Sequence, residues 1–98
     1  MKIEKNIENG NVVLSIGGRL DTTTAPELEK ELENILSEAK ELVFDMAELE
    51  YISSAGLRVL LKAQKTMNTQ GNMKVIHVNE SIMEVFEITG FLDILTIE

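Results

Sequence analysis

Residues Glu41–Gln64 read ELVFDMAELEYISSAGLRVLLKAQ, a short apolar run followed by a segment with helical periodicity. The opening ELVFDM is mostly apolar and bounded by charge, which is typical of a strand buried on both faces. Leu57, Leu60 and Leu61 then recur at helical spacing, and Gly71 supplies a stop for that helix. The stretch therefore predicts a buried strand followed by a long helix.

The upstream sequence predicts a hairpin and a first helix. Asn9–Asn11 (NGN) precede the run VVLSIGG, and Asn-Gly is the strongest short-range signal of a β-hairpin. Thr24 and Glu27 have the spacing of a capping box, and Pro26 falls in the first helical turn, where its missing N–H is harmless. Apolar residues then recur with helical period through Ala39, so we expect one amphipathic helix.

The downstream sequence continues the alternation of strands and helices. MKVIHV (73–78) predicts a buried strand, and NESIMEVFEITG (79–90) predicts a helix with Asn79 or Ser81 as its cap and Gly90 as its stop. DILTI (93–97) predicts a last strand. The order ββαβαβαβ over a single domain, residues 1–98, indicates an α/β fold whose sheet is mostly parallel with an antiparallel edge strand.

The composition indicates whether the chain is a membrane, secreted or cytoplasmic protein. Apolar residues make up 44% of the 98 residues, but charges interrupt every run, so we expect no membrane span. The N-terminal segment lacks the apolar core of a signal peptide. The absence of cysteine excludes disulfides and thiolate chemistry. We expect a soluble protein of the cytoplasm.

The charge balance bears on the partner. A formal net charge of −8 creates a negative field that repels phosphate backbones, which disfavours nucleic-acid binding. A basic or mixed-charge protein fits this field better. The excess of acid also has a plain explanation, since many small domains are acidic for solubility alone.

Polar side chains follow the predicted strands at their carboxyl ends, where open parallel sheets gather their ligand sites. Asp21 and Thr22–Thr24 follow the second strand, Asp45 is placed at the end of the third, and Ser53 and Ser54 precede the next helix. We expect these groups to share one edge of the sheet. Each group alone is weak evidence, because Asp, Ser and Thr are also the preferred cap and turn residues.

The sequence offers no complete catalytic or metal-binding set. It contains no glycine-rich phosphate loop, and His77 is the only histidine, which we place mid-strand in a core or half-buried structural role. Ser54 does not lie in a nucleophile elbow. Asp45 as a phosphoacceptor would need an acidic pair near the first strand and a lysine at the end of a later strand, and this chain has neither at those positions, so a turn-capping role is favoured. We expect no enzymatic activity, no cofactor and no metal.

Two explanations remain for the serine pair at the start of the predicted helix. Ser53 and Ser54 could simply cap that helix. Alternatively, Ser54 could be a site of phosphorylation, because Ala55 and Gly56 leave space around it and the helix dipole favours an added phosphate. Arg58 lies one turn further on and could pair with that phosphate.

Three segments together resemble the STAS domain family, and specifically the bacterial anti-sigma-factor antagonists. They are GRLDTTTAPELEKEL, LVFDMAELEYISSAGLRVLL and GNMKVIHVNESIMEVFEITGF, which cover nearly the whole chain in order. The resemblance implies a sheet covered by helices and a partner that is an anti-sigma factor with serine-kinase activity. It leaves a serine phosphatase open as a further partner.

The resemblance also assigns site residues. Ser54 matches the serine that the family phosphorylates, and Asp21 matches an acidic residue that the family associates with the kinase-binding surface. Many antagonists carry Asp just before that serine, whereas this chain has Ser53, which stays the alternative site. The expected partner-binding set is Asp21, Thr22, Thr23, Thr24, Ser53, Ser54, Gly56 and Arg58.

Two functions follow from this resemblance. In the first, the unphosphorylated chain binds an anti-sigma factor and releases that factor's client, and phosphorylation of Ser54 breaks the contact. In the second, the chain is a STAS subunit of a transporter or larger signalling complex and is never phosphorylated.

Overall fold

The Asn9–Gly10 dipeptide forms the predicted hairpin in the computed structural model, which describes residues 1–98. Both residues have positive φ angles, 50° and 84°, as a two-residue type I′ turn requires. The turn joins strands β1 (Lys2–Glu8) and β2 (Asn11–Leu20), which pair antiparallel. The local turn signal was therefore sufficient to place the first two strands.

The chain then alternates between helices and strands. The elements are α1 (Ala25–Ile35), a 3₁₀ turn (Leu36–Glu38), β3 (Glu41–Ile52), α2 (Ser54–Gln70), β4 (Asn72–Ile76), α3 (Glu80–Thr89) and a second 3₁₀ turn (Phe91–Asp93). The sheet order is β1-β2-β3-β4, with β2, β3 and β4 parallel and β1 antiparallel at one edge. The predicted α/β fold with an antiparallel edge strand is confirmed.

The hydrophobic core lies on one face of the sheet. The crossovers through α1 and α2 both step in the same direction across the sheet, so right-handed connections put both helices on the same face. Phe86 of α3 joins the same core. The core residues contributed by the parallel strands β2, β3 and β4 are Val12, Leu14, Ile16, Leu20, Leu42, Phe44, Met46, Leu49, Ile52, Met73 and Val75.

The opposite face of the sheet is open, which corrects the expectation that β3 and β4 are buried on both sides. Val43 and Asp45 on β3, and Lys74 and Ile76 on β4, alternate with the core residues and are only half-buried. The apolar run in β3 suggested a strand covered twice. Three helices on a single side leave the second face without a layer above it.

The predicted last strand is reduced to a single bridge. Phe91–Asp93 form a 3₁₀ turn directly after α3, so only Thr96–Glu98 reach the edge of β4. There Val75 donates its N–H to the carbonyl of Thr96, and Glu98 donates to the carbonyl of Val75, both at 2.9 Å. The element order is therefore ββαβαβα.

Two glycines end their helices as predicted, by different means. Gly90 follows α3 in the left-handed conformation, with φ of 80°, which suits glycine. Gly71 follows α2 in an extended conformation, and a Cβ atom there would collide with the carbonyl oxygen of Lys40. Close backbone approach, and not a left-handed turn, explains glycine at position 71.

Candidate functional site

Strands β2 and β3 end side by side, and this brings most of the predicted site together. Leu20 and Ile52 are register partners, and the N–H of Ser53 donates to the carbonyl of Leu20 at 2.9 Å. The loop that follows β2 therefore lies beside the start of α2. Asp21 with its threonines and the Ser53–Ser54 pair share one edge of the sheet, as the sequence predicted.

The Asp21 carboxylate organises the loop between β2 and α1. Its Oδ1 accepts hydrogen bonds from the Thr23 hydroxyl at 2.8 Å, from the Thr23 N–H at 3.0 Å and from the Thr24 N–H at 3.2 Å. The Thr23 hydroxyl bond is the main reason that the pKa of Asp21 falls to about 2, with the Thr24 and Thr23 N–H groups adding to it against partial desolvation. The loop thus presents a fixed negative charge at neutral pH.

The predicted capping box at Thr24 is wrong. The Thr24 hydroxyl donates to the carbonyl of Arg19 at 2.7 Å and accepts from the N–H of Asp21 at 2.8 Å, and it makes no cap bond with α1. Its hydroxyl instead joins the end of β2 to the loop. Pro26 lies in the first turn, as predicted, and has no N–H that would need a cap. Thr22 and Thr23 are exposed beside it.

The two serines before α2 have different surroundings. Ser53 occupies the N-cap position with extended backbone, but its hydroxyl makes no cap bond and is buried without any hydrogen-bond partner. Ser54 is the first residue of α2 and is exposed. Plain capping therefore does not explain this pair, and only the Ser54 hydroxyl is open to solvent.

Gly56 and Arg58 follow on the first turns of α2. Gly56 is buried, and a Cβ there would lie 2.7 Å from Cγ of Leu20 and 2.9 Å from Cγ1 of Ile52. It therefore lets α2 approach the strand ends closely. Arg58 is exposed, forms no ion pair, and borders a shallow groove with Thr22 of the loop before α1.

Asp45 and His77 do not lie where the sequence placed them. β3 continues seven residues beyond Asp45 to Ile52, so Asp45 is inside the strand and away from the Ser54 edge. β4 ends at Ile76, and His77 is exposed with a left-handed φ of 59°. The expected buried, mid-strand histidine is therefore wrong.

These two residues instead contact each other. Nδ1 of His77 lies 2.9 Å from Oδ1 of Asp45, and this hydrogen bond, with a further one from the Ala47 N–H, holds the pKa of Asp45 below its usual range. The pair ties β3 to the turn that leads into α3. Sequence reasoning missed it because the register of β3 against β4 brings the two residues together.

No three histidine, cysteine, aspartate or glutamate side chains are grouped so that they could hold a metal ion. None of the helices is both long and apolar enough to cross a membrane.

Comparison with known proteins identifies the family. The STAS domain profile matches residues 2–98. The chain belongs to the STAS domain family. A provisionally named anti-sigma factor antagonist, BtrV of Bordetella bronchiseptica, is 35% identical over 99 residues, which cover 99% of this chain and 85% of the relative. The anti-sigma-B factor antagonist of Bacillus subtilis is 30% identical over 94 residues, with coverage of 95% and 85%.

Solved structures agree on the fold. An anti-sigma factor antagonist from Mycobacterium paratuberculosis superposes with a TM-score of 0.89 at 22% identity, covering 98% of this chain and 83% of its own. The unphosphorylated form of the anti-sigma factor antagonist SpoIIAA superposes with a TM-score of 0.85 at 13% identity, covering 99% and 88%. At these identities the likeness establishes the fold alone.

Proposed function

We propose that this STAS domain is an anti-sigma factor antagonist that binds an anti-sigma factor with serine-kinase activity and is released when Ser54 is phosphorylated. The observation that carries the proposal is the exposed Ser54 hydroxyl at the first residue of α2, beside the Asp21 loop. A single surface thus contains both a fixed charge for recognition and a hydroxyl for modification. The chain is the substrate of the kinase and performs no catalysis itself.

The start of α2 suits a phosphate. The first N–H groups of a helix have no partner within the helix, and here the Ser53 side chain does not cap them. The helix dipole and the unpaired Arg58 both favour negative charge at this end. A phosphate on Ser54 would therefore be compatible with the fold while adding about two negative charges to the surface a partner contacts.

Asp21 supplies the recognition charge. Its hydrogen bonds fix the carboxylate before any partner arrives, so little conformational entropy is lost on binding. A basic group on the partner would be attracted to it, and a phosphate added nearby would disturb that arrangement by introducing charge into the interface. The switch then acts by local repulsion and desolvation, without refolding of the domain.

The names of the relatives, and the phosphorylated and unphosphorylated forms in which one of them has been solved, support this proposal. Several are named as antagonists of anti-sigma factors, which implies a protein partner of that class. SpoIIAA of Bacillus has been solved in a phosphorylated form as well as an unphosphorylated one, so the fold of that protein tolerates the modification. An anti-sigma factor acts on transcription, which would place this chain in the cytoplasm.

Mass spectrometry of the chain purified from its own host tests the phosphorylation site. We expect a phosphate on Ser54 in the wild type and none in Ser54→Ala, which should still bind the partner. Ser53→Ala is the matched control and should be phosphorylated like the wild type, because its hydroxyl is buried. A phosphate that persists in Ser54→Ala and disappears in Ser53→Ala would assign the modification to Ser53.

Affinity purification of the Ser54→Ala chain tests the partner class. We expect it to retain an anti-sigma factor with a kinase domain, and binding should weaken in Asp21→Lys, more at low salt than at high. Recovery of transporter subunits or of a large signalling complex, with no phosphate on either serine, would favour the alternative role as a structural STAS subunit.

A further inference from the structure

Arg19 and Tyr51 form a stacked pair on the open face of the sheet, close to the Asp21 loop. They are register partners on the neighbouring parallel strands β2 and β3, so their side chains point to the same side. The guanidinium carbon of Arg19 lies 4.1 Å from the centroid of the Tyr51 ring. Cation–π attraction at this distance favours a guanidinium placed over the ring.

The same arginine also reaches the Asp21 carboxylate. Its Nε lies 3.6 Å from Oδ2 of Asp21, whereas Oδ1 of that carboxylate is occupied by Thr23 and Thr24. The two terminal nitrogens of Arg19 have no protein partner, and the side chain is 63% exposed. The guanidinium is therefore positioned from two sides while its outer donors remain free.

Tyr51 adds an apolar surface to this position. It is 41% exposed, and it is one of five large apolar side chains classed as exposed. Arginine and tyrosine are, with tryptophan, the residue types most enriched among those that dominate the energy of protein interfaces. Their position at the end of β2 and β3 makes them continuous with the edge that carries Asp21 and Ser54.

We propose that Arg19, held over Tyr51, binds a carboxylate side chain of the same anti-sigma factor, so that the interface continues from the edge of the sheet onto its open face. The proposal rests on the function proposed for that edge. A guanidinium offers a planar fork of donors that matches a carboxylate in a bidentate manner, and preorganisation lowers the entropic cost of forming the contact.

This contact specifies the charge pattern of the partner. A uniformly basic partner surface would be attracted by Asp21 and repelled by Arg19, which is only two positions away in sequence. The complementary surface therefore carries a basic group opposite Asp21 and an acidic group opposite Arg19. Such a mixed pair fixes the register of docking and discriminates against surfaces of a single charge.

Calorimetric titration of purified chain against the purified anti-sigma factor recovered in the affinity experiment tests the contact. We expect Arg19→Ala to lower the affinity about tenfold, Arg19→Lys to lower it less, and Arg19→Glu to lower it more than alanine because two carboxylates then face each other. Tyr51→Leu, which removes the aromatic ring next to the guanidinium, should lower the affinity about threefold. Lys65→Ala, which removes an exposed cation on α2 that forms no ion pair, is the control and should bind like the wild type.

An Asp21→Asn background separates direct contact from positioning. If Arg19 only oriented the Asp21 carboxylate, Arg19→Ala would have no further effect once that charge is gone. A direct contact predicts that Arg19→Ala still lowers the affinity several-fold in this background. Circular dichroism on each variant confirms that the fold is retained.

The outcomes are distinct. Loss of binding in Asp21→Lys and Ser54→Asp with full affinity in Arg19→Ala would overturn this contact and leave the proposed function intact. Tighter binding by Arg19→Glu would also overturn it, because a basic partner group would then face this position. Failure to recover any anti-sigma factor would overturn the proposed function and this extension together.

Discussion

The helices α1 and α2 start next to each other, and the two starts are built in opposite ways. Before α1, the Asp21 carboxylate accepts hydrogen bonds from Thr23 and Thr24, and the Thr24 hydroxyl joins the loop to the end of β2. Before α2, the Ser53 hydroxyl is buried without a partner and Ser54 is exposed. The first start is held by hydrogen bonds within its loop, whereas the second has no side-chain cap and an exposed hydroxyl, which is the contrast that the proposed function uses.

The start of α3 gives a reference for this comparison. Asn79 accepts a hydrogen bond from the N–H of Ile82 at 2.9 Å and donates to the carbonyl of Leu49 at 2.8 Å. The domain therefore contains one ordinary side-chain cap, at a helix that takes no part in the proposed site. Neither α1 nor α2 has such a cap, so the side-chain cap occurs only at the helix outside the proposed site.

The largest expected effect contrasts the caps of α3 and α2. Asn79→Ala removes both hydrogen bonds of a working cap and should lower the free energy of unfolding by about 2 kcal/mol. Ser53→Ala removes a buried hydroxyl that has no partner and should change it by less than about 0.5 kcal/mol. Denaturant unfolding of both variants measures the difference. Equal losses would mean that the Ser53 hydroxyl caps α2 in solution.

The next effect concerns charge at the open start of α2. Ser54→Asp should weaken binding of the anti-sigma factor at least about tenfold, which corresponds to about 1.4 kcal/mol. Its free energy of unfolding should stay within about 1 kcal/mol of the wild-type value. The charge is favourable at a helix N-terminus and costly inside an interface. Ser81→Asp, the same change in the first turn of α3, is the matched control and should leave affinity unchanged. A large drop in melting temperature for Ser54→Asp would indicate damage to the fold instead of a switch.

A smaller effect tests how closely α2 must approach the strand ends. Gly56→Ala would crowd Leu20 and Ile52, and overpacking of a core typically costs about 1–3 kcal/mol. The gain in helix propensity offsets about 1 kcal/mol of that, so we expect a net loss of about 1 kcal/mol. Thermal unfolding is the measurement. A net stabilisation would show that the start of α2 can shift to make room.

The smallest effect is the acid response of the loop before α1. The pKa of Asp21 lies at about 2, below the ordinary value of 3.8, so its ionised form stabilises the fold. That contribution is complete above about pH 4 and is lost as the pH falls toward 2. An NMR titration of the Asp21 carboxyl carbon should show the low pKa in the wild type and a higher one in Thr23→Val, which lacks the hydroxyl donor. An identical pKa in both proteins would contradict the role of Thr23.

The elements that the sequence predicted correctly depend on short stretches of chain. Asn9–Gly10 formed their turn and Asn79 formed its cap, because each signal acts within about four residues. The order of strands and helices from β1 to α3 followed from hydrophobic periodicity in the same way. The capping box at Thr24 failed because its hydroxyl found a partner at the end of β2, which local spacing does not reveal.

Asp45 and His77 illustrate a second kind of miss. Both positions were predicted from apolar runs in the sequence, but the strands end at other residues. β3 continues to Ile52, and β4 stops at Ile76. An apolar run indicates a strand but does not fix its ends, which here depend on how far each strand pairs with its neighbour. Their contact depends on the register of two parallel strands whose paired residues are 31 positions apart in sequence.

The sequence by itself determined the order of elements from β1 to α3, the hairpin, the helix stops and the placement of Asp21 and Ser54 at strand ends, because turn chemistry and periodicity act locally. Only the tertiary structure decided which serine hydroxyl is exposed, that the sheet keeps one open face, and that Arg19 stacks on Tyr51. These properties depend on packing between segments that are distant in the chain. Side-chain burial and cross-strand register are set when the elements assemble, so no single stretch of sequence contains them.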